Sequence, residues 1–366
     1  MQYSFVLTGG GSGGHVFPAL AVARVLKDRG HKLLFIGTRQ GMESRLVPEA
    51  GFDLEFIRIG ALNRVGRRQQ LQTTMQLPLS IASAWRLLKR FRAKAVFSTG
   101  GYVAGPVMLA AVIAGIPLIV MEPNAIPGFA NRKIARRVCR ALLGFESTKS
   151  WFPEGRAEVT GLPVRSEFFD RKPNRDEKFT LLITGGSQGA RTLNRASRES
   201  WPLFRDAQSG VRIVNQTGRA EHETLARDFS AAGLDGEVVP FISDMANAFA
   251  SADLVLSRSG MGTFSEIAAS SSASILVPLP FAADDHQRHN AERLVEAGAA
   301  RMVLDSELNG ERLFREVESL RQNPALLATM RERVRPFAKP GAAVRAAEVL
   351  EEACGAGAPA VFHSEK

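Results

Sequence analysis

The chain has 366 residues, of which 45% are apolar and 23% charged, with a formal charge of +10; the length suggests two domains, and the balance excludes a chain too polar to bury a core. Its two cysteines, Cys139 and Cys354, form no CxxC or metal-ligand pattern, which suits a reducing compartment. The charge is uneven: residues 1–165 hold 23 Lys and Arg against 9 Asp and Glu, and residues 166–366 hold 24 against 28.

A strand is expected at 3–8, so near the start that no basic n-region and apolar h-region of a signal peptide precede it. It runs into Thr8-Gly9-Gly10-Gly11-Ser12-Gly13-Gly14-His15 and a helix at 16–29. A buried strand, a glycine turn and a helix N-terminus make an anion site, because free N–H groups and the helix dipole point there. His15 stands where the dipole disfavours an imidazolium. A neutral ring there acts as a base, or satisfies its own backbone turn.

The second strand, 32–37, ends Ile36-Gly37-Thr38-Arg39 without the acidic residue a NAD site needs. A helix at 41–50, a strand at 54–58 and a long helix at about 70–92 follow. No acidic residue occurs between Glu55 and Glu122. That stretch interleaves Arg67, Arg68, Arg86, Lys89 and Arg90 with Leu71, Met75, Leu79 and Trp85. The pattern suits an anionic membrane surface. Nucleic acid is the competing partner, but no RRM, KH or helix-turn-helix signature is present. An ordinary surface helix with its apolar face in the core is the plain alternative.

A strand is expected at 95–98. The uncharged run Tyr102 to Met121 has about the 20 residues of a spanning helix, but Gly105-Pro106 and Gly115-Ile116-Pro117 interrupt it. It reads as a loop, a short buried helix at 106–114 and a strand at 117–121. Helices at 128–138 and 147–152 flank a strand at 141–144. Gly161-Leu162-Pro163-Val164-Arg165 is a turn-like connector between domains, which puts the boundary between 163 and 164.

The scheme then repeats. Strands are expected at 179–183, 211–215, 237–239, 253–257, 274–277 and 301–303. Helices are expected at 189–200, 220–232, 244–249, 261–270, 287–297 and 309–322. Right-handed crossovers would give each half a parallel, doubly wound sheet. The first strand of this half leads into Thr184-Gly185-Gly186-Ser187-Gln188-Gly189, a second anion loop. Neither loop is a Walker A motif, since no Lys-Ser/Thr pair follows. Ser259 to Thr263 stand at a helix start, a usual diphosphate position. Glu266 is placed to accept from a ribose diol, or to cap the helix. Asp284-Asp285-His286-Gln287-Arg288-His289-Asn290 is polar, but its side chains are too nearly consecutive to converge on one metal. No DxD element appears, so a leaving diphosphate would be stabilised by backbone N–H groups and a helix dipole. A last helix is expected at about 341–353, and the Gly/Ala/Pro-rich tail 355–366 reads as disordered.

Taken together, six segments resemble the MurG glycosyltransferases over about residues 3 to 350: the loop ending in His15 with Val16-Phe17-Pro18, Gly100 to Pro106, Glu122-Pro123-Asn124, Gly161 to Arg165, Gly185 to Ala190, and Ser259 to Glu266. The resemblance implies an α/β fold of GT-B architecture, two Rossmann-like doubly wound domains with a cleft between them. An acceptor- and membrane-binding domain would span 1–163 and regain a helix at 341–354. A donor-binding domain would span 164–340. It implies inverting transfer of N-acetylglucosamine from UDP-N-acetylglucosamine to the muramoyl 4-hydroxyl of undecaprenyl-diphospho-muramoylpentapeptide (lipid I), giving lipid II for peptidoglycan. No cofactor or metal is implied.

Carried over by motif, the donor contacts are Ser12, Gly13, Gly14, Asn124, Arg165, Ser187, Ile242, Met261, Gly262, Thr263, Phe264, Ser265, Glu266 and Gln287. Ile242 would hold uracil through its backbone, Glu266 the ribose and Gln287 the sugar hydroxyls. Gly11, His15, Gly100, Gly101, Tyr102 and Asn124 would meet the acceptor, with His15 as base or positioning group. Arg67, Arg68, Leu71, Met75, Leu79, Trp85 and Lys89 would meet an anionic inner-leaflet surface, peripherally, at the cytoplasmic face of the inner membrane. Other cell-wall synthesis proteins are implied partners, and nucleic acid is not. Ser12 stands where relatives have Thr, Met261-Gly262 where they have Ala-Leu or Ala-Ser, and Pro123 where they have Gln. The alternatives are another UDP-sugar enzyme of this fold, such as a lipid glucosyltransferase or UDP-N-acetylglucosamine 2-epimerase, or a non-catalytic nucleotide-sugar or nucleic-acid binder.

Overall fold

The structure, a computed structural model, describes residues 1–11, 13–60, 67–171, 178–282 and 285–355. The chain divides into two compact units, Met1–Pro163 with the segment from Gly341 onward, and Val164–Pro340.

The first unit runs β1 (Ser4–Thr8), α1 (Gly13–Asp28), β2 (Lys32–Gly37), α2 (Glu43–Glu49), β3 (Leu54–Phe56), α3 (Arg67–Phe91), β4 (Ala95–Ser98), α4 (Ala104–Ile113), β5 (Leu118–Glu122), α5 (Phe129–Ile134), β6 (Arg140–Leu143) and β7 (Ala157–Val159). Its seven strands lie in the order β3-β2-β1-β4-β5-β6-β7, all parallel. The inner strands β4 and β5 are buried at every position, as unbroken apolar runs covered on both faces must be.

The second unit runs α6 (Glu167–Asp170), β8 (Thr180–Thr184), α7 (Arg191–Asp206), β9 (Arg212–Gln216), α8 (His222–Ala232), β10 (Gly236–Val239), α9 (Met245–Ser251), β11 (Leu254–Ser257), α10 (Met261–Ala269), β12 (Ser274–Leu276), α11 (His286–Glu296), β13 (Ala300–Met302), α12 (Gly310–Arg321) and α13 (Pro324–Val334). Its six strands are parallel in the order β10-β9-β8-β11-β12-β13. Both sheets are therefore doubly wound. Their order reverses between β1 and β4 and between β8 and β11, the places where open α/β sheets leave a crevice at the strand carboxyl ends.

The last helix, α14 (Ala342–Gly355), packs on α1 in the first unit. It buries Ala342, Ala346, Ala347, Val349 and Leu350. Arg345 makes a forked pair with Glu158 of β7, Nε to Oε1 at 2.8 Å and NH2 to Oε2 at 3.0 Å, which holds the Glu158 carboxyl below its ordinary range. Arg29 and His31 both reach Glu351, at 2.6 and 2.7 Å.

Several elements differ from the sequence reading. The helix expected at 189–200 continues through Pro202 to Asp206, because Trp201 and Phe204 are buried in the core of the second unit. β7, α6 and α13 were not expected. α13 starts where Asn323 Oδ1 accepts the Leu326 N–H at 3.0 Å and Pro324 takes the first turn. The helix expected at 147–152 is a 3₁₀ helix, Glu146–Trp151. α4 is not wholly buried, since Leu109 and Ile113 are exposed. Of the expected disordered tail, Gly355 ends α14 and 356–366 lie outside the described residues.

Candidate functional site

In the first unit, two loops meet at the carboxyl ends of β1 and β4. Thr99 joins them: its N–H donates to Thr8 O at 2.9 Å and its hydroxyl to His15 O at 2.7 Å. Its carbonyl faces His15 Nδ1 at 2.7 Å. A carbonyl only accepts, so Nδ1 carries the hydrogen, and the neutral ring has its lone pair on Nε2. His15 is the third residue of α1. Gly101 is held at φ +86° against the first loop, where a Cβ would collide with the carbonyl of Gly10; only glycine allows this approach. Gly100 lies against the His15 ring. Gly11 belongs to the same cluster, but its N–H turns inward, to a carboxylate of α2, and not toward a ligand. Ser12 lies outside the described residues.

Asn124 is placed by Glu122 at the end of β5. One carboxylate oxygen accepts the Asn124 N–H at 3.0 Å and its Nδ2 at 3.1 Å, and the other accepts from Gly128 N and Asn131 Nδ2 at 2.8 and 2.9 Å. Burial pushes the Glu122 carboxyl up, and these hydrogen bonds pull it back. The Pro123-Asn124 loop is thus held in place by Glu122.

In the second unit, Ser187 is exposed on the loop after β8. The buried Gln216 side chain, at the end of β9, spans to this loop: its Nε2 donates to Gly186 O at 2.9 Å and Thr184 Oγ1 at 3.2 Å. Its Oε1 accepts the Ile242 N–H at 2.8 Å. The Ile242 N–H is therefore engaged within the protein, and the carbonyl is the backbone group left for a base.

α10 begins at Met261 after Gly260 in extended conformation, and no side chain caps it among the described residues. Met261, Phe264 and Ser265 are buried, with Phe264 edge-on to Phe337. Of the six residues of α10 expected to touch a donor, these three have buried side chains; a contact through Met261 would use its N–H. Gly262, Thr263 and Glu266 are half-buried. Glu266 is the sixth residue of the helix, beyond capping reach, which corrects the capping alternative. Burial raises its carboxyl to about 7, with Arg165 pulling the other way. Arg165 is exposed, its guanidinium 5.1 Å from the Phe168 ring centre. Gln287 accepts the Leu279 N–H on Oε1 at 3.0 Å, and its backbone carbonyl accepts from Ser259 Oγ at 2.7 Å. Its Nε2 lies beside Gly260, so the amide offers donors at the start of α10. Asp284 lies outside the described residues, and among those described no group of three or more His, Cys, Asp or Glu is placed to hold an ion.

On α3, Met75 and Leu79 are 71% and 75% exposed, and Trp85 is exposed with Lys89 Nζ 5.9 Å from its ring centre. Ala84, Leu87 and Leu88 form the buried face. The side chains of Arg67, Arg68 and Leu71 lie outside the described residues. The exposed Leu109 and Ile113 stand on α4, which packs against α3. Among the described residues no helix is long and apolar enough to cross a membrane.

Sequence reasoning passed over Gln216. Its one local signal is a polar residue ending an apolar strand, and its partners lie 26 to 32 positions away.

Comparison with known proteins covers both units. The glycosyltransferase family 28 N-terminal domain matches residues 5–143, and the family 28 C-terminal domain matches residues 180–346. A protein of Solibacter usitatus named UDP-N-acetylglucosamine–N-acetylmuramyl-(pentapeptide) pyrophosphoryl-undecaprenol N-acetylglucosamine transferase is 55% identical, over 95% of this chain and 96% of its own. The protein of that name in Myxococcus xanthus is 39% identical over 94% and 91%. The crystal structure of Acinetobacter baumannii MurG superposes with a TM-score of 0.81 at 33% identity, over 96% and 99% of the two chains. A UDP-N-acetylglucosamine 2-epimerase superposes at 0.65 with 15% identity over the whole of both chains, which shows a shared fold alone.

Proposed function

The chain belongs to glycosyltransferase family 28 and has the GT-B fold, and from that premise we propose that it is the N-acetylglucosaminyltransferase that converts lipid I to lipid II. The observation that carries this is the 55% identity to a relative of that name across both units. The donor is UDP-N-acetylglucosamine, and the acceptor is undecaprenyl-diphospho-muramoylpentapeptide.

The UDP part of the donor belongs to the second unit, and the donor contacts carried over at Ser12, Gly13, Gly14 and Asn124 belong to the first. The first N–H groups of α10 and the loop at Ser187 take the diphosphate, where the helix dipole favours negative charge. The Ile242 carbonyl accepts from uracil N3–H, Glu266 accepts from the ribose diol, and Gln287 Nε2 donates to a sugar hydroxyl. Arg165 balances charge near Glu266. In the first unit, Gly100, Gly101 and Tyr102 and the start of α1 receive the acceptor, with Asn124 beside it. The muramoyl 4-hydroxyl attacks the anomeric carbon from the face opposite UDP. The new C–O bond forms as the bond to UDP breaks, with inversion, and the hydroxyl proton passes to His15 Nε2. Charge on the departing diphosphate is met by fixed N–H groups, which need no reorganisation and no metal.

The exposed apolar and basic face of α3 makes peripheral contact with anionic lipid at the cytoplasmic face of the membrane, where this acceptor is confined. Lys89 beside the exposed Trp85, with Met75 and Leu79 exposed on the same helix, supports that reading.

The test is transfer of labelled N-acetylglucosamine to a lipid I analogue, with and without EDTA. Product with a β-linkage to the 4-hydroxyl, unaffected by EDTA, is expected. UDP release without acceptor, or epimerisation of the donor, would replace this reading with that of a different UDP-sugar enzyme.

A further inference from the structure

Beneath the first glycine loop lies a carboxylate that no step above uses. Glu43 opens α2 and is 1% exposed. Its Oε2 accepts the Gly11 N–H at 2.9 Å. Its Oε1 accepts the Thr38 N–H at 2.9 Å and the Thr38 hydroxyl at 2.8 Å. The Thr38 hydrogen is spent there, so the 2.9 Å contact between Thr38 Oγ1 and Tyr102 OH is donated by the tyrosine. The Tyr102 ring in turn covers Gly11, where a Cβ would lie 2.9 Å from Cε1. Gly10, Gly37 and Gly41 leave the room the side chain fills, since a Cβ on any of them would collide with Glu43. Among the described residues no cation pairs with it. A buried carboxylate is costly unless fully hydrogen-bonded, and here every donor it receives comes from loops at the carboxyl ends of β1 and β2.

We propose that Glu43 is a positioning residue for the acceptor. It holds Gly11 at φ +87°, which sets how the chain enters α1 two residues before His15. Through Thr38 it fixes Tyr102 in the same hydrogen-bonded unit. The β1 loop and the β4 loop are thereby presented to the acceptor as one preset surface. This rests on the reading that these loops receive the acceptor.

The test is Glu43→Gln. The amide oxygen can keep the two Thr38 donors, but the –NH₂ then faces the Gly11 N–H, so the substitution releases Gly11 selectively. The expected result is a fall of about tenfold in kcat/KM for the lipid I analogue, the loss of about one hydrogen bond to a charged group. Dissociation of UDP, measured by calorimetry, should stay within twofold of the unsubstituted protein. Amide exchange should quicken in peptides covering residues 9–11 and not in β8 or β9. Thr38→Val, which keeps Gly11 on Glu43 but cuts the link to Tyr102, should give a smaller fall in the same constant. An unchanged acceptor kcat/KM in Glu43→Gln would overturn the proposal, as would acceptor and UDP binding weakening together. Gly101→Ala separates the two failures. If it lowers acceptor kcat/KM while Glu43→Gln does not, the positioning role alone is wrong. If Gly101→Ala also leaves the acceptor constants unchanged, the loops do not receive the acceptor and the proposal falls with that reading.

Discussion

The Ile242 N–H and the Gly186 carbonyl are held by the two ends of one buried amide, Gln216, at 2.8 and 2.9 Å. The loop proposed to meet uracil and the loop proposed to meet the diphosphate are therefore not independent. A nucleotide that orders one finds the other already set.

Gln216→Ala should weaken UDP binding about tenfold, because leaving buried backbone groups unpaired costs about 1–3 kcal/mol. Gln216→Glu should be at least as damaging, since it turns a carboxylate oxygen toward the Gly186 carbonyl. Calorimetry with UDP checks both. Unchanged affinity in both variants would mean that the loops hold themselves.

With the ribose role proposed for Glu266, stability and donor binding should respond oppositely to one substitution. Its carboxyl is raised by burial from 4.5 to about 7. The folded state then binds more protons than the unfolded state between those values, so stability falls as pH rises through that window and stays lower above it. Glu266→Gln removes the penalty. Its melting temperature should match that of the unsubstituted protein near pH 4.5 and exceed it at pH 8. UDP affinity at pH 8 should drop about tenfold, as one charged acceptor for the ribose diol is lost. A melting difference that ignores pH would show that the carboxyl is not strained by burial.

His15→Ala should lower kcat by about 10²–10⁴-fold, the usual contribution of a positioned base. Both KM values should change little, and the acidic limb of the pH–kcat profile should disappear. Near-normal turnover with an unaltered profile would remove the base role.

Met75→Glu with Leu79→Glu should reduce binding to vesicles containing anionic lipid by more than tenfold, since each inserted side chain contributes about 1.5–3 kcal/mol. Both positions are exposed in the free protein, so melting temperature and UDP affinity should not move. Sedimentation with vesicles at low and high salt is the measurement. Binding that ignores both the substitutions and the salt would exclude α3 as the contact.

The two sheets were legible because their signals are local: an apolar run, a glycine turn, a helix start. The switch-point loops followed from that alternation. What escaped depends on distant partners. β7 is a three-residue edge strand whose Glu158 is matched by Arg345, 187 positions later. α7 outlasts Pro202 because Phe204 has a core to enter. The start of α13 at Asn323-Pro324 carries a local signal, a capping Asn and a first-turn Pro. In the candidate site, motif residues stand out as glycines and a histidine. The groups that hold them, Glu43, Glu122 and Gln216, look in sequence like ordinary polar residues. Only burial and partners distinguish them. Met261, Phe264 and Ser265 show the converse: the motif names them as contacts, and their side chains are buried in the fold.

α14 closes the first unit with residues that follow the whole of the second unit in the sequence. During translation the whole of the second unit leaves the ribosome while α1 still lacks the helix that covers it. The first unit is thus completed only after the whole of the second has been made. A protein cut short before Ala342 would keep the second unit whole and leave the first with its α1 surface bare. Truncation from the C-terminus is accordingly felt at the opposite end of the sequence.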